Sequence, residues 1–80
     1  MEENLIAAIE LGSSEITGVV GQKLANGTTE VLAYVSLPSE SAIRHGVVYN
    51  TEKAASIIVD LIERMRHISA CDINMVYVAH

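Results

Sequence analysis

One helix-period run stands between strand-period segments, and it constrains the fold of this 80-residue chain more than any other feature. Ala54, Ile57, Ile58, Leu61, Ile62, Met65 and Ile68 recur at spacings of three and four, while Lys53, Ser56, Asp60, Glu63, Arg64 and His67 take the opposite side. The pattern predicts a single amphipathic helix packed on a sheet. Asn50 or Thr51 offers a side-chain acceptor to the free amides of the first turn, and Glu52 suits the positive end of the dipole. The helix is therefore expected to start near residue 51.

The flanking segments read as strands. Leu5-Ile6-Ala7-Ala8-Ile9 is a nearly continuous apolar run ended by Glu10 and Gly12, which predicts a central strand covered on both faces. Ile16 to Gly21 forms a second candidate. Val31 to Leu37 forms a third, with Val31, Ala33, Val35 and Leu37 alternating against Leu32, Tyr34 and Ser36. Asn26-Gly27 lies between the last two and signals a tight hairpin, since both residues tolerate positive backbone angles. Pro38 closes the third strand. Ser39 to Gly46 is expected to be a loop, and Val47-Val48-Tyr49 a short extended piece. After Asp72 and Asn74, Met75 to Ala79 begins a fourth strand that the chain ends almost as soon as it forms.

A helix joining the third strand to the fourth requires a parallel partner and a right-handed crossover, and the most buried neighbour available is the first strand. The expected fold is α/β with a mixed sheet, βββαβ, in the strand order 3-2-1-4. A ferredoxin-like or other small α+β sandwich is the competing architecture.

Composition bounds the function. Half of the residues are apolar and the net charge is -5, with acidic residues spread from Glu2 to Asp72. No basic stripe is present to meet phosphate backbones or anionic headgroups, so nucleic acid and direct membrane contact by this segment are not expected. Cys71 is alone, and Met1 to Asn4 lead into the first strand without a secretory pattern, so the cytoplasm is the expected compartment. A chain of this length buries only about 60% of its unfolded surface. It is expected to be one partial domain, residues 1–80, cut from something larger.

Chemistry concentrates at Glu10-Leu11-Gly12-Ser13-Ser14-Glu15, where an acid ends the first strand, Gly12 permits a tight turn and two hydroxyls open the second strand. Amides in such a turn converge on phosphate oxygens, and the Ser hydroxyls add donors. Glu10 could hold a hydrated magnesium ion, which keeps several waters and takes few protein ligands. For a turn of this composition in an arbitrary chain, a plain connection between strands is the commoner outcome.

The motif Glu10-x-Gly12-Ser13 resembles the first phosphate loop of the actin superfamily, whose ribonuclease-H-like half is the βββαβ unit. Ile9 to Ser14, Val19-Val20-Gly21 with Asn26-Gly27, Ser39 to Asn50 with Glu52, and Val76 to Ala79 are together similar to the FtsA family of actin-like bacterial cell-division proteins. The likeness covers nearly the whole chain, and the stretch before the helix is its more specific part. It implies a three-stranded meander, a helix and a fourth strand from the N-terminal subdomain of an actin-like ATPase. It further implies ATP and magnesium as cofactors, with Glu10, Gly12, Ser13, Ser14 and Glu15 around the phosphates. Self-association into homo-oligomers, a link to an FtsZ-like filament protein, and membrane attachment through distant parts complete the implied function. At most a weak ATPase is expected of a full-length protein, and none of this segment alone. One departure lies inside the motif: where the family often carries Lys, Glu15 stands, and a carboxylate repels phosphate. A nucleotide-free interaction module on the same fold, similar to a pilus-assembly relative, is the alternative function, and a sugar-kinase-type enzyme a distant third.

The remaining candidates are bland. His45, His67 and His80 show no zinc spacing with Cys71. His67 is expected to serve the negative end of the helix and Cys71 to pack. Tyr34, Tyr49 and Tyr77 are expected to supply packing with a wetted hydroxyl, and Arg44 to be a solvated loop residue. No catalytic side chain is assigned.

Overall fold

The computed structural model describes residues 4–79. Strands β1 (Leu5–Leu11), β2 (Glu15–Lys23) and β3 (Thr29–Pro38) form an antiparallel meander, a small hairpin follows with β4 (Ile43–Arg44) and β5 (Val47–Val48), and helix α1 (Thr51–Ser69) leads to β6 (Tyr77–Ala79). The four-stranded sheet has the order β3-β2-β1-β6, with β6 parallel to β1. This is the expected 3-2-1-4 arrangement, β6 being the fourth strand of the main sheet.

Helix α1 begins where capping chemistry puts it. Asn50 has extended backbone, and its Oδ1 accepts the Lys53 N–H at 3.0 Å. At the other end Ala70 turns into the left-handed region with φ 57°, and its N–H donates to the Arg66 carbonyl. The buried face of α1 presents Ala54, Leu61 and Met65 to Ala7, Ile9 and Leu11 of β1, Ile16 and Val20 of β2, and Ala33 of β3, with Ala42, Ile43 and Ile73 closing the same core. Beneath α1, Gly18 leaves no room for a side chain, because a Cβ there would lie 2.6 Å from Met65 Sδ.

The sheet is covered on one face, which corrects the expectation for β1. Ala7, Ile9 and Leu11 are buried, but Ile6 on the opposite phase is 47% exposed. A single helix covers a single face, so the apolar run of β1 meets α1 only at alternate residues. Tyr34 and Tyr77 also stand exposed instead of packed, as does Tyr49, whose ring lies under the Arg44 guanidinium at 4.8 Å. Stacking on the ring gives Arg44 a partner that a purely solvated residue lacks.

Two turns differ from expectation. Between β2 and β3 the Gly27 N–H donates to the Leu24 carbonyl and the Leu24 N–H to the Thr28 carbonyl, with only Gly27 at positive φ. Asn26 acts through its side chain, whose Oδ1 accepts from both the N–H and the hydroxyl of Thr28. The two-residue hairpin turn with positive φ throughout occurs elsewhere, at His45 (52°) and Gly46 (76°) between β4 and β5. The segment expected to be a loop therefore carries its own ladder, Ile43 opposite Val48 and Arg44 opposite Val47.

Candidate functional site

The β1–β2 connection is Gly12, Ser13 and Ser14, with the two serines at its tip. Gly12 and Glu15 flank them, and the Gly12 N–H donates to the Glu15 carbonyl at 2.9 Å. A Cβ on Gly12 would lie 2.7 Å from that same carbonyl oxygen. Closure of the turn itself thus demands glycine here, before any ligand is considered. It also removes the Gly12 N–H from the set of donors free to meet an anion.

A second segment holds this turn from behind. Ser39, fully buried, donates its hydroxyl to the Ser13 carbonyl and its N–H to the Ser14 carbonyl at 3.0 Å. The His45 N–H donates to Ser13 Oγ at 3.1 Å. The Ser13 and Ser14 carbonyls are consequently bound inward to buried Ser39, and one lone pair of the Ser13 hydroxyl is occupied. Among the described residues, the N–H groups of Ser13 and Ser14 make no hydrogen bond, and both residues are exposed. The exposed surface of the turn is therefore weighted towards donors, which suits an anion.

Two carboxylates stand beside it. Glu10 is exposed near the end of β1, opposite Thr17 of β2, and β1 runs one residue further than expected before Gly12. Glu15 is engaged sideways: its Oε1 accepts the Ser36 hydroxyl at 3.0 Å. Since Ser36 gives its proton to Glu15, the Thr17 hydroxyl is the donor in its 3.0 Å contact with Ser36 Oγ. This relay ties Glu15 to β3. Among the described residues no group of three His, Cys, Asp or Glu side chains is gathered as a metal site. One carboxylate with water completing the shell is compatible with a hydrated magnesium ion, which keeps several waters, but does not select it over other hard cations.

The loop residues read from the sequence are thus all present around one turn, but the residues that hold it were not among them. Ser39 and His45 lie 26 and 32 positions from Ser13, and no local spacing marks them. Pro38 could have pointed to an abrupt change of direction there, though not to its target.

The chain matches no family model. Its sequence is 34% identical to the cell division protein FtsA of Porphyromonas gingivalis over 76% of the chain, and 33% identical to FtsA of Borreliella burgdorferi over 99%. FtsA of Pseudomonas aeruginosa is 28% identical over 92%. The chain is FtsA-like. It spans 13%, 19% and 18% of the length of these three relatives, respectively.

In this FtsA-like chain an open surface groove lies away from the turn. A groove of about 560 Å³ runs between β3 and α1, walled by Tyr34, Val35 and Ser36 on one side and Arg64, His67 and Ile68 on the other. No helix among the described residues is long and apolar enough to cross a membrane.

Proposed function

We propose that the chain is part of an FtsA-like, actin-related scaffold for cell division, in which the Ser13-Ser14 turn receives the phosphates of ATP. The observation that carries this reading is the division of hydrogen bonding at the turn, with the Ser13 and Ser14 carbonyls bound to Ser39 and, among the described residues, neither N–H bonded. Ser14 contributes a hydroxyl, and Ser13 keeps its own proton available while its oxygen accepts from His45. Glu10 would hold magnesium through water, and the ion would neutralise phosphate charge that the acidic turn otherwise repels. As a cytoplasmic scaffold it would self-associate and join an FtsZ-like filament protein to the membrane through parts outside this segment, with weak ATP hydrolysis at most.

The phosphate assignment is tested by calorimetric titration of the full-length protein with ATP and magnesium. Gly12→Val is expected to abolish binding, because the new side chain collides with the Glu15 carbonyl and opens the turn. Unchanged affinity in that variant would remove the turn from the binding site. A nucleotide-free interaction module is the second reading, favoured by the Glu15 carboxylate beside the turn, and the same titration with wild-type protein separates the two.

A further inference from the structure

We infer that Ser39 is a positioning residue for the phosphate turn, holding the Ser13 and Ser14 carbonyls inward so that their N–H groups face an incoming phosphate. The inference rests on the nucleotide reading above and adds a residue that touches no ligand itself.

The turn needs outside help because of its backbone. A two-residue hairpin connection matches the twist of its strands when it adopts a turn with positive φ at its first central residue or at both. Neither Ser13 nor Ser14 has positive φ. Such a connection does not match the twist of its strands by itself, and of the turn's own backbone bonds only the Gly12 N–H to Glu15 carbonyl bond closes it. Ser39 supplies the restraint from 26 residues away, with two donors directed at consecutive carbonyls. Among the described residues it is the one buried polar side chain, and a buried hydroxyl is retained where its hydrogen bond is specific.

Ser39 is itself fixed. Its carbonyl accepts the Ala42 N–H at 2.9 Å, and the Ala42 carbonyl accepts from Tyr49 and Asn50 at 2.7 and 3.2 Å. Asn50 caps α1. The turn is thereby referenced to the start of the helix and not merely to its own strands. An acceptor turned outward would face phosphate oxygen with its lone pairs, so capturing both carbonyls removes repulsion as well as presenting donors.

The test uses the full-length protein with Ser39→Ala, and Ile43→Val as a control that thins the same buried segment without touching the turn. Two readouts are taken, ATP affinity in magnesium and the carbonyl carbon-13 and amide resonances of Ser13 and Ser14. Ser39→Ala is expected to shift those resonances before nucleotide is added and to weaken ATP binding by about tenfold, roughly 1.4 kcal/mol. Ile43→Val should lower the melting temperature comparably while leaving affinity within about twofold, a change of roughly 0.4 kcal/mol or less. Unmoved resonances, or equal losses of affinity in the two variants, overturn the role of Ser39 while leaving the nucleotide reading intact. Wild-type protein that takes no ATP overturns the nucleotide reading itself, and the inference with it.

Discussion

Glu15 bears one of the two carboxylates beside the Ser13-Ser14 turn. It stands where the resembling family often has Lys, and its carboxylate is held by the Ser36 hydroxyl across the β2–β3 pair. That bond keeps the charge close to the turn on an ordered strand. Replacing Glu15 with Lys exchanges repulsion for attraction and gives up one exposed hydrogen bond, whose loss costs little. Coulomb energy between unit charges about 6 Å apart is roughly 2 to 3 kcal/mol at an effective dielectric near 20, and salt screens part of it. Glu15→Lys in the full-length protein is therefore expected to tighten ATP binding by about tenfold, roughly 1.4 kcal/mol. Titration at two salt concentrations checks this, since the gain should shrink as salt rises. An unchanged constant at low salt would place Glu15 outside the reach of the phosphates.

At the scale of elements, α1 and the β4–β5 hairpin depend on one junction. Asn50 accepts the Lys53 N–H with its side chain, while its own N–H and that of Tyr49 reach the Ala42 carbonyl. Removing the side-chain acceptor leaves the first turn of α1 with an orphan donor. Asn50→Ala is expected to lower stability by about 1 kcal/mol, within a range of roughly 0.5 to 2. Urea denaturation with an unchanged slope would confirm that the loss is one of stability and not of compactness. A midpoint equal to wild type would mean that packing of Ala54, Leu61 and Met65 alone fixes the helix start. The hairpin explains why its segment was harder to read: two strands of two residues carry no periodicity, and His45-Gly46 is a less familiar pair than Asn26-Gly27.

The whole molecule is a two-layer wedge of 41 × 21 × 16 Å with a radius of gyration of 13.1 Å, above the approximately 11.6 Å expected of a compact chain of this length. The excess follows from a sheet with one face uncovered. Ile6, Tyr34 and Tyr77 are all exposed, and Val78 stands exposed on short strand β6, which pairs only with β1 among the described strands. Open strand edges and exposed apolar side chains favour association. The 80-residue chain is expected to form dimers or larger species at micromolar to millimolar concentration, as light scattering would show. A monomer throughout that range would mean that the net charge of -5 outweighs the apolar surface.

The sequence alone determined what repeats locally. Spacings of three and four along α1, alternation along β3, a cap at Asn50 or Thr51 and the apolar run of β1 are each written within a few residues, so helix, strands and order β3-β2-β1-β6 followed from them. The motif Glu10-x-Gly12-Ser13 likewise marked the turn. Only the tertiary structure decided which face of β1 is covered, because its run is apolar on both phases and the number of helices packed against it, not its composition, sets burial. Only the tertiary structure brought Ser39 and His45 to Ser13, since hydrogen bonds across 26 and 32 residues leave no periodic trace and depend on where Pro38 directs the chain after β3. The capture of the Ser13 and Ser14 carbonyls is a property of that long-range contact.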